Sequence, residues 1–168
     1  VIGFSEIQSD QLSVFLNRHG AQYDVYPGTE LGAAGAPPTM AWRQDRYRMV
    51  DATTVTIPFM DQHRPMPVVR LQHLGTGREF WVMNAHNAPR DRQVERDQAL
   101  AAEIAMLNRL RAETGLPVFF LGDLNEKDAA LCKVTGQTDL EAAWPGGNLG
   151  TCSPWRGMRP GWVSGSPV

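Results

Sequence analysis

The feature that most constrains the fold is one long helical segment followed at once by a short apolar strand. Residues 93–113 carry apolar side chains at roughly helical spacing, and Gly115 and Pro117 then provide a stop. Residues 118–121 are all apolar, which favours a short strand buried on both faces. A helix that leads directly into such a strand is typical of layered α/β domains.

The remaining segments predict mostly strands. Ser9 is the predicted N-cap of a first helix that Gly20 ends, residues 27–39 form a loop rich in Gly, Ala and Pro, and a short helix is expected after Asp128. Apolar, alternating or β-branched segments predict strands at residues 1–4, 23–26, 40–43, 47–50, 53–59, 67–73 and 78–84. Many strands with few helices predict an α/β fold, a two-sheet β-sandwich flanked by helices.

Composition bounds the class of protein. The 168 residues are 42% hydrophobic and 20% charged, which is typical of one globular domain rather than of a disordered chain. No run approaches the roughly 18 apolar residues of a membrane span, so we expect no stable membrane insertion. The net charge of −2 does not favour nucleic acid or an anionic membrane.

The two cysteines, Cys132 and Cys152, lie in a stretch rich in Gly and Pro. The sequence has no C-x-x-C motif and no Cys/His cluster, so a zinc site is not expected. A disulfide between them would stabilise the loop and would suit a secreted or cell-envelope protein. Two unpaired thiols in a cytoplasmic protein are the alternative.

Three apolar strands end in polar residues, namely Glu6, then Asn84 and His86, then Asp123 and Asn125. In layered α/β folds, such side chains gather in a crevice at the strand ends. Carboxylate and amide oxygens suit Mg²⁺ or Mn²⁺, and a neighbouring histidine can donate to a phosphoryl oxygen. The set therefore predicts a metal-dependent site that cleaves phosphoesters.

Each of these residues also has a simpler interpretation. Glu6 could be a surface acid, and His86 could be a structural histidine held by hydrogen bonds. Asp123 and Asn125 could be turn formers, because both side chains bond to nearby backbone. A shared site explains the whole set better than separate explanations do.

Four segments, in this order and spacing, resemble motifs of the endonuclease/exonuclease/phosphatase superfamily, typified by pancreatic deoxyribonuclease. They are residues 3–8, 41–47, 84–86 and 122–125. The resemblance implies a deoxyribonuclease-like four-layer sandwich in a single domain over residues 1–168. It also implies hydrolysis of a phosphodiester, with DNA or RNA as the expected substrate. No protein partner is evident from the sequence.

The resemblance implies a role for each residue of the site. Glu6 would hold Mg²⁺ or Mn²⁺, with Asp123 and Asn125 as further metal ligands. Asp123 would orient or deprotonate the attacking water, and Asn125 would position the phosphate. His86 would stabilise the pentacovalent phosphate, and Asn84 would support this segment at the substrate.

Three arginines are candidate substrate contacts. Arg90 and Arg96 follow His86 closely, and Arg43 lies on a predicted strand. A solvated helix entrance is the alternative for the arginines after His86, and we favour it for Arg92. A cross-strand ion pair on the surface is the alternative for Arg43.

The chain departs from the superfamily pattern in several places. Ser5 stands where Gln is usual, no histidine follows Asp123, and residues 161–166 resemble the last strand motif without its Asp. We expect that the sequence lacks its first strand, some loops and its C-terminal strand. The alternative is a degenerate, inactive member.

Two other functions stay open. One is a phospholipid or phosphoinositide phosphoesterase with the same site, since a fold does not determine a substrate. The other is a non-catalytic binding protein on the same scaffold, which would bind metal weakly or not at all.

Overall fold

The computed structural model describes residues 1–126 and 128–143, and the chain divides into two compact units, residues 1–125 and 126–168. The elements of the first unit are β1 (Ile2–Gly3), α1 (Ser9–His19), β2 (Tyr23–Tyr26), β3 (Met40–Arg43), β4 (Tyr47–Phe59), β5 (Gln62–His73), β6 (Glu79–His86), α2 (Gln93–Thr114) and β7 (Val118–Asp123). In the second unit the structure describes α3 (Asp128–Gln137). A single domain over residues 1–168 stays a prediction.

The strands of the first unit form two sheets. A three-stranded antiparallel sheet has the order β1-β3-β2, and a four-stranded sheet has the order β4-β5-β6-β7. The pairs β4–β5 and β5–β6 are antiparallel, whereas β6 and β7 are parallel. Parallel neighbours need a crossover connection, and α2 provides it. The carboxyl ends of β6 and β7 therefore lie side by side, with His86 opposite Asp123.

The two sheets pack face to face. Met40 and Trp42 of β3 form one buried cluster with residues of β5 and β6, which are Val69, Leu71 and Val82. These side chains alternate with outward-facing ones along their strands, as expected for the inner faces of a sandwich. The predicted two-sheet sandwich is confirmed.

The helices cover the outer faces of the sheets. On α1, the ring of Phe15 lies 5.3 Å from that of Phe4 and 5.6 Å from that of Tyr23. The helix α2 packs on β4 and β7 through an apolar stripe that includes Leu100, Ile104, Leu107 and Leu110. The first unit thus has four layers, as predicted. None of the helices in the described residues has the length and apolar character that a membrane span requires.

Two strand predictions were wrong in detail. The segments 47–50 and 53–59 form one continuous strand, β4, because a bulge between Met49 and Asp51 bends the strand without ending it. Phe119 of β7 is 55% exposed, although residues 118–121 predicted a strand buried on both faces. The reason is that β7 is the last strand in the order of its sheet, within the described residues.

The helix boundaries differ slightly from the prediction. The N-cap of α1 is Gln8 rather than Ser9, and a reciprocal capping box with Gln11 holds it. Gly115 ends α2 in the left-handed conformation, as predicted. Val94 is 70% exposed, so it is not part of the buried stripe of α2.

Two predictions fall wholly or partly outside the described residues. Cys132 is buried in α3, whereas Cys152 lies outside the described residues, so the disulfide stays a prediction. Residues 161–166, which resemble the last strand motif, also lie outside them.

Candidate active site

The structure brings Glu6 and His86 together. Glu6 follows β1 of the three-stranded sheet, and His86 ends β6 of the four-stranded sheet. Nε2 of His86 lies 3.5 Å from Oε1 of Glu6, although 80 positions separate the two residues along the chain. The histidine side chain is 5% exposed and the glutamate side chain 78% exposed. An accessible carboxylate and a buried imidazole thus meet where the two sheets adjoin.

His86 is not the structural histidine held by hydrogen bonds that the sequence left open. Its Nδ1 is buried and has no hydrogen-bond partner among the described residues. Its ring lies 5.1 Å from the ring of Phe59, at the end of β4. Packing therefore orients the ring, while Nε2 points to the carboxylate of Glu6.

The side chain of Asn84 connects the two sheets by hydrogen bonds next to this pair. Its Nδ2 donates to the carbonyl oxygen of Phe4 at 2.9 Å and to that of Thr39 at 3.4 Å. Phe4 lies two positions before Glu6, so this amide positions the segment that carries the carboxylate. Asn84 has no exposed surface, which suits the predicted supporting role and keeps the amide from direct contact with a solvent-borne substrate.

Asp123 extends from the end of β7, opposite His86. The preceding Gly122 has a φ of 134°, and a Cβ atom there would clash with the backbone of Ala85 on β6. Only glycine fits this approach of the two strands. The exposed carboxylate of Asp123 accepts a hydrogen bond from the backbone N–H of Asn125 at 2.8 Å. The turn-forming role is therefore real, and it presents the carboxylate to solvent beside His86.

Asn87 joins the segments after β6 and β7, although no local sequence pattern indicated a role for it. Its backbone N–H donates to the carbonyl oxygen of Asp123 at 2.9 Å. Its own carbonyl oxygen accepts from Nδ2 of Asn125 at 2.8 Å, and Asn125 has a positive φ of 48°. Asn87 therefore holds both predicted site residues of the β7 end in place.

A buried glutamate of α2 accepts a hydrogen bond from Asn87. Nδ2 of Asn87 donates to Oε2 of Glu103 on α2 at 3.3 Å, and Glu103 has no exposed surface. Burial raises the pKa of Glu103 to about 7, although the hydrogen bond from Asn87 opposes this rise. The sequence held a clue that was missed, since Glu103 lies three positions after Leu100 and four before Leu107 on the apolar stripe of α2.

The predicted substrate arginines behave differently from one another. Arg96 is buried and donates through Nη1 to the carbonyl oxygens of Ala88 and Arg90, at 3.0 Å and 2.7 Å. It therefore shapes the segment after His86 rather than presenting its charge to solvent. Arg90 is exposed with a φ of 63°, so it stays available for substrate.

Arg43 is not brought to the site. It lies at the opposite end of β3 from Met40, which pairs with Gly3 of β1. Its guanidinium forms an ion pair with Asp45, which holds the pKa of Asp45 below its usual value. Arg43 therefore forms a surface ion pair, but its partner lies in the turn after β3 rather than on a neighbouring strand. Arg43 lies away from the site because of strand direction, since only one end of each strand reaches the site.

Arg64 joins the site, although it was not among the predicted site residues. Its Cζ lies 4.1 Å from the centroid of the Phe59 ring, the same ring that packs on His86. Burial lowers the pKa of Arg64, and the nearby charge of Glu6 opposes that change. No local pattern distinguishes this residue, because its place depends on the pairing of β4 with β5.

The donors at this place fit a hard divalent cation. Glu6 and Asp123 both carry exposed carboxylates, and Mg²⁺ binds through one or two carboxylates while keeping several water ligands. The described residues contain no group of three or more His, Cys, Asp or Glu side chains that could hold a metal ion by themselves. Oxygen donors of this number suit Mg²⁺ or Mn²⁺ rather than zinc.

Comparison with solved structures shows which fold this is. An endonuclease/exonuclease/phosphatase from Bacteroides vulgatus matches with a TM-score of 0.62 and 19% identity, over 79% of this chain and 55% of that chain. The mannosyl-6-phosphatase of Bacteroides thetaiotaomicron matches with a TM-score of 0.62 and 18% identity, over 74% and 51%. D. rerio TDP2 complexed with single-strand DNA product matches with a TM-score of 0.53 and 18% identity, over 74% and 48%.

These likenesses show that the chain has the endonuclease/exonuclease/phosphatase fold, as the motifs predicted. The chain spans about half the length of the structures it matches. No family model and no curated protein sequence matches it.

Proposed function

We propose that this chain, which has the endonuclease/exonuclease/phosphatase fold, belongs to a metal-dependent hydrolase of phosphoesters, of the nuclease or phosphodiesterase type. The observation that carries the proposal is the contact of Glu6 with His86, directly opposite Asp123. Three groups suited to metal binding, water activation and phosphoryl stabilisation thus come from three separate strand ends.

Each residue has a chemical task in this proposal. Glu6 would hold the metal, with Asp123 and Asn125 as further ligands, and a bound Mg²⁺ or Mn²⁺ would neutralise phosphoryl charge and activate water. Asp123 orients or deprotonates the attacking water. His86, whose Nε2 faces the accessible carboxylate, donates to a phosphoryl oxygen as negative charge develops.

DNA or RNA is the proposed substrate, and the likeness to a TDP2 bound to a DNA product supports it. Binding of nucleic acid would weaken steeply with added salt. A phosphomonoester is the second candidate, because a mannosyl-6-phosphatase matches at a higher TM-score. Export from the cell is also part of the proposal, and it rests on the predicted pairing of Cys132 with Cys152.

Hydrolysis assays test the reaction. The purified protein is incubated with plasmid DNA, bis-p-nitrophenyl phosphate or mannose 6-phosphate, with Mg²⁺ or Mn²⁺ and with or without chelator. We expect hydrolysis that chelator abolishes and that Asp123→Ala lowers by roughly 10²- to 10⁴-fold, the usual effect of losing a general base. Asp51→Ala is the matched control, because Asp51 is also exposed and also accepts a backbone hydrogen bond.

Other results would contradict the proposal. Activity that ignores chelator, or that Asp123→Ala leaves intact, would rule out the mechanism. Absence of both hydrolysis and Mn²⁺ binding by calorimetry would favour a non-catalytic binding protein. Hydrolysis of phospholipid vesicles with no action on plasmid DNA would favour the phospholipid phosphoesterase.

A further inference from the structure

The hydrogen bond between Asn87 and Glu103 leaves one buried oxygen on each side chain without a partner. Both residues are buried, and Nδ2 of Asn87 donates to Oε2 of Glu103 at 3.3 Å. Oδ1 of Asn87 and Oε1 of Glu103 have no hydrogen-bond partner among the described residues. Both are acceptors when the carboxyl group is ionised, so neither oxygen has a donor. Buried acceptors without a donor are unfavourable and uncommon in folded proteins, which indicates that a further hydrogen belongs to this pair.

One proton on Oε1 of Glu103 would supply that hydrogen. A protonated carboxyl group has one O–H donor beside its remaining acceptor, and a primary amide has N–H donors beside its acceptor. The two groups can therefore form two hydrogen bonds side by side, from Nδ2–H of Asn87 to Oε2 and from Oε1–H of Glu103 to Oδ1. Such a pair satisfies both oxygens that lack a partner.

The surroundings of Glu103 favour this protonated form. Among the described residues, His86 and Arg96 are the other buried side chains that can carry a positive charge. His86 faces Glu6, and Arg96 donates to backbone carbonyl oxygens. Neither contributes to the pKa of Glu103, which burial raises to about 7 although the hydrogen bond from Asn87 opposes this rise. No positive charge therefore holds the carboxyl group in its ionised form.

Glu103 is one of two side chains by which α2 holds the segment after β6. Arg96 and Glu103 lie seven positions apart, which is about two turns, so they share one face of the helix. Arg96 donates to the carbonyl oxygens of Ala88 and Arg90, and Glu103 binds the side chain of Asn87. The helix thus fixes both ends of residues 87–90.

We propose that Glu103 is a positioning residue of the candidate active site, and that its carboxyl group is protonated and forms two hydrogen bonds with the side chain of Asn87. The backbone of Asn87 in turn binds the carbonyl oxygen of Asp123 and Nδ2 of Asn125. Glu103 therefore acts through Asn87 on the predicted metal ligands of the β7 end, and it touches neither metal nor substrate. The identity of these ligands rests on the proposed function, whereas the pair itself does not.

NMR in the absence of metal tests the pair directly. The side-chain carboxyl carbon of Glu103, identified by the loss of its signal in Glu103→Gln, reports whether the proton is present. At about pH 6 we expect Glu103 to keep its proton, whereas the exposed Glu113 on the same helix has released its own. The side-chain amide signals of Asn87 should move in the same pH transition, because the proton joins the two groups. Titration of Glu103 together with Glu113, or Asn87 signals that do not respond, would overturn the inference.

Two substitutions of Glu103 test the positioning role. Leucine has a similar size and suits the buried stripe of α2, but it offers Asn87 neither a donor nor an acceptor, whereas glutamine offers both. We expect the amide signals of Asn125, whose Nδ2 binds the carbonyl oxygen of Asn87, to shift in Glu103→Leu and to stay in place in Glu103→Gln. Glu113→Leu is the matched control, because it removes an exposed glutamate from the same helix.

Calorimetry with Mn²⁺ measures the consequence for the metal ligands. We expect Glu103→Leu to weaken Mn²⁺ binding by about 10- to 100-fold, the usual effect of losing a group that holds metal ligands in place. Glu103→Gln and Glu113→Leu should bind Mn²⁺ as tightly as the unchanged protein. Unchanged affinity in Glu103→Leu, or an equal loss in Glu103→Gln, would show that the pair does not position these ligands.

Asn87→Ala keeps the inference testable if Glu103→Leu does not fold. It removes the side-chain pair from the other side and keeps the backbone groups of Asn87 that bind Asp123 and Asn125. Thermal unfolding identifies a temperature at which every variant is folded, and Mn²⁺ affinity is compared there. We expect the same loss of Mn²⁺ affinity as in Glu103→Leu, and full affinity in Asn87→Ala would contradict the positioning role.

Hydrolysis of bis-p-nitrophenyl phosphate distinguishes this inference from the proposed function. If the unchanged protein neither binds Mn²⁺ nor hydrolyses the ester, while Glu103→Leu still shifts the Asn125 signals, the proposed function fails and the positioning pair stands. If Glu103→Leu hydrolyses the ester with the same KM and kcat as the unchanged protein, the positioning role fails and the proposed function stands. When both hold, Glu103→Leu lowers kcat more than it raises KM, because Asp123 acts on the attacking water, and Glu103→Gln restores kcat.

Discussion

The carboxyl group of Glu103 is fully buried in the fold. Replacing it by glutamine keeps the shape of the side chain and an oxygen that can accept from Nδ2 of Asn87. The glutamine also adds an N–H donor, and Oδ1 of Asn87 is buried without a partner among the described residues. The substitution therefore removes the ionisable group while preserving the hydrogen bond.

The magnitude follows from the pKa of Glu103. Burial raises this pKa from 4.5 to about 7, which corresponds to roughly 3 kcal/mol between the two protonation states. Between those values the folded protein keeps a proton that the unfolded chain releases. The free energy of unfolding therefore falls as the pH rises from about 4.5 through about 7, and the loss is complete above that range. Glutamine has no such dependence.

Urea unfolding followed by tryptophan fluorescence measures the effect, because Trp42 and Trp81 are buried in the first unit. The free energy of unfolding is determined at pH 5 and at pH 8 for the unchanged protein and for Glu103→Gln. We expect the free energy of unfolding of Glu103→Gln to gain about 2 to 3 kcal/mol on that of the unchanged protein between pH 5 and pH 8. Glu113→Gln, an exposed glutamate on the same helix, should show no such gain.

One result would refute this reasoning. The free energies of unfolding of the unchanged protein and of Glu103→Gln could differ by the same amount at pH 5 and at pH 8. Glu103 would then ionise as freely in the folded state as in the unfolded one. Burial would then not control its pKa, and the close packing of α2 against the segment after β6 would be incorrect.

Two further substitutions test how the site is held together. Gly122→Ala should destabilise the protein by about 3 kcal/mol or more and abolish hydrolysis, because the added methyl group would clash with the backbone of Ala85. Urea unfolding and the plasmid assay measure the two effects. Unchanged stability would contradict the close approach of β7 to β6 at Gly122. Asn84→Ala should destabilise the protein by about 1 to 3 kcal/mol, because it leaves the partly buried carbonyl of Phe4 without its donor. It should also lower metal affinity by releasing the segment of Glu6. Calorimetry with Mn²⁺ checks that second effect, and unchanged Mn²⁺ affinity would show that Asn84 does not position Glu6.

Much of the candidate site was predictable because its residues follow strands with clear local patterns. Glu6, His86 and Asp123 each come at the end of an apolar segment, and the ends of such segments meet in layered folds. The structure brings Glu6 to His86 and pairs His86 with Asp123. Local patterns could not show that Arg43 lies at the far end of the sheets, since a strand pattern does not state which end reaches the site.

The residues that were missed depend on contacts between distant segments. Glu103 differs from an ordinary surface glutamate only because the segment after β6 covers it, and Arg64 differs from other arginines only because Phe59 lies beneath it. The exposure of Phe119 has a related cause, because an apolar run of four residues cannot show how many strands flank it.

The sequence by itself determined the elements, the two-sheet class of fold and the polar residues at the strand ends, because hydrophobic periodicity and turn residues act over a few neighbouring positions. The tertiary structure alone decided which charges face one another. Gly122-Asp123-Leu124-Asn125 shows both levels. Its place after an apolar strand was evident from the sequence. Its anchoring through Asn87 to the buried Glu103 depends on the packing of β6, β7 and α2 against one another. Burial and pairing of this kind arise only when distant segments exclude water from the same place.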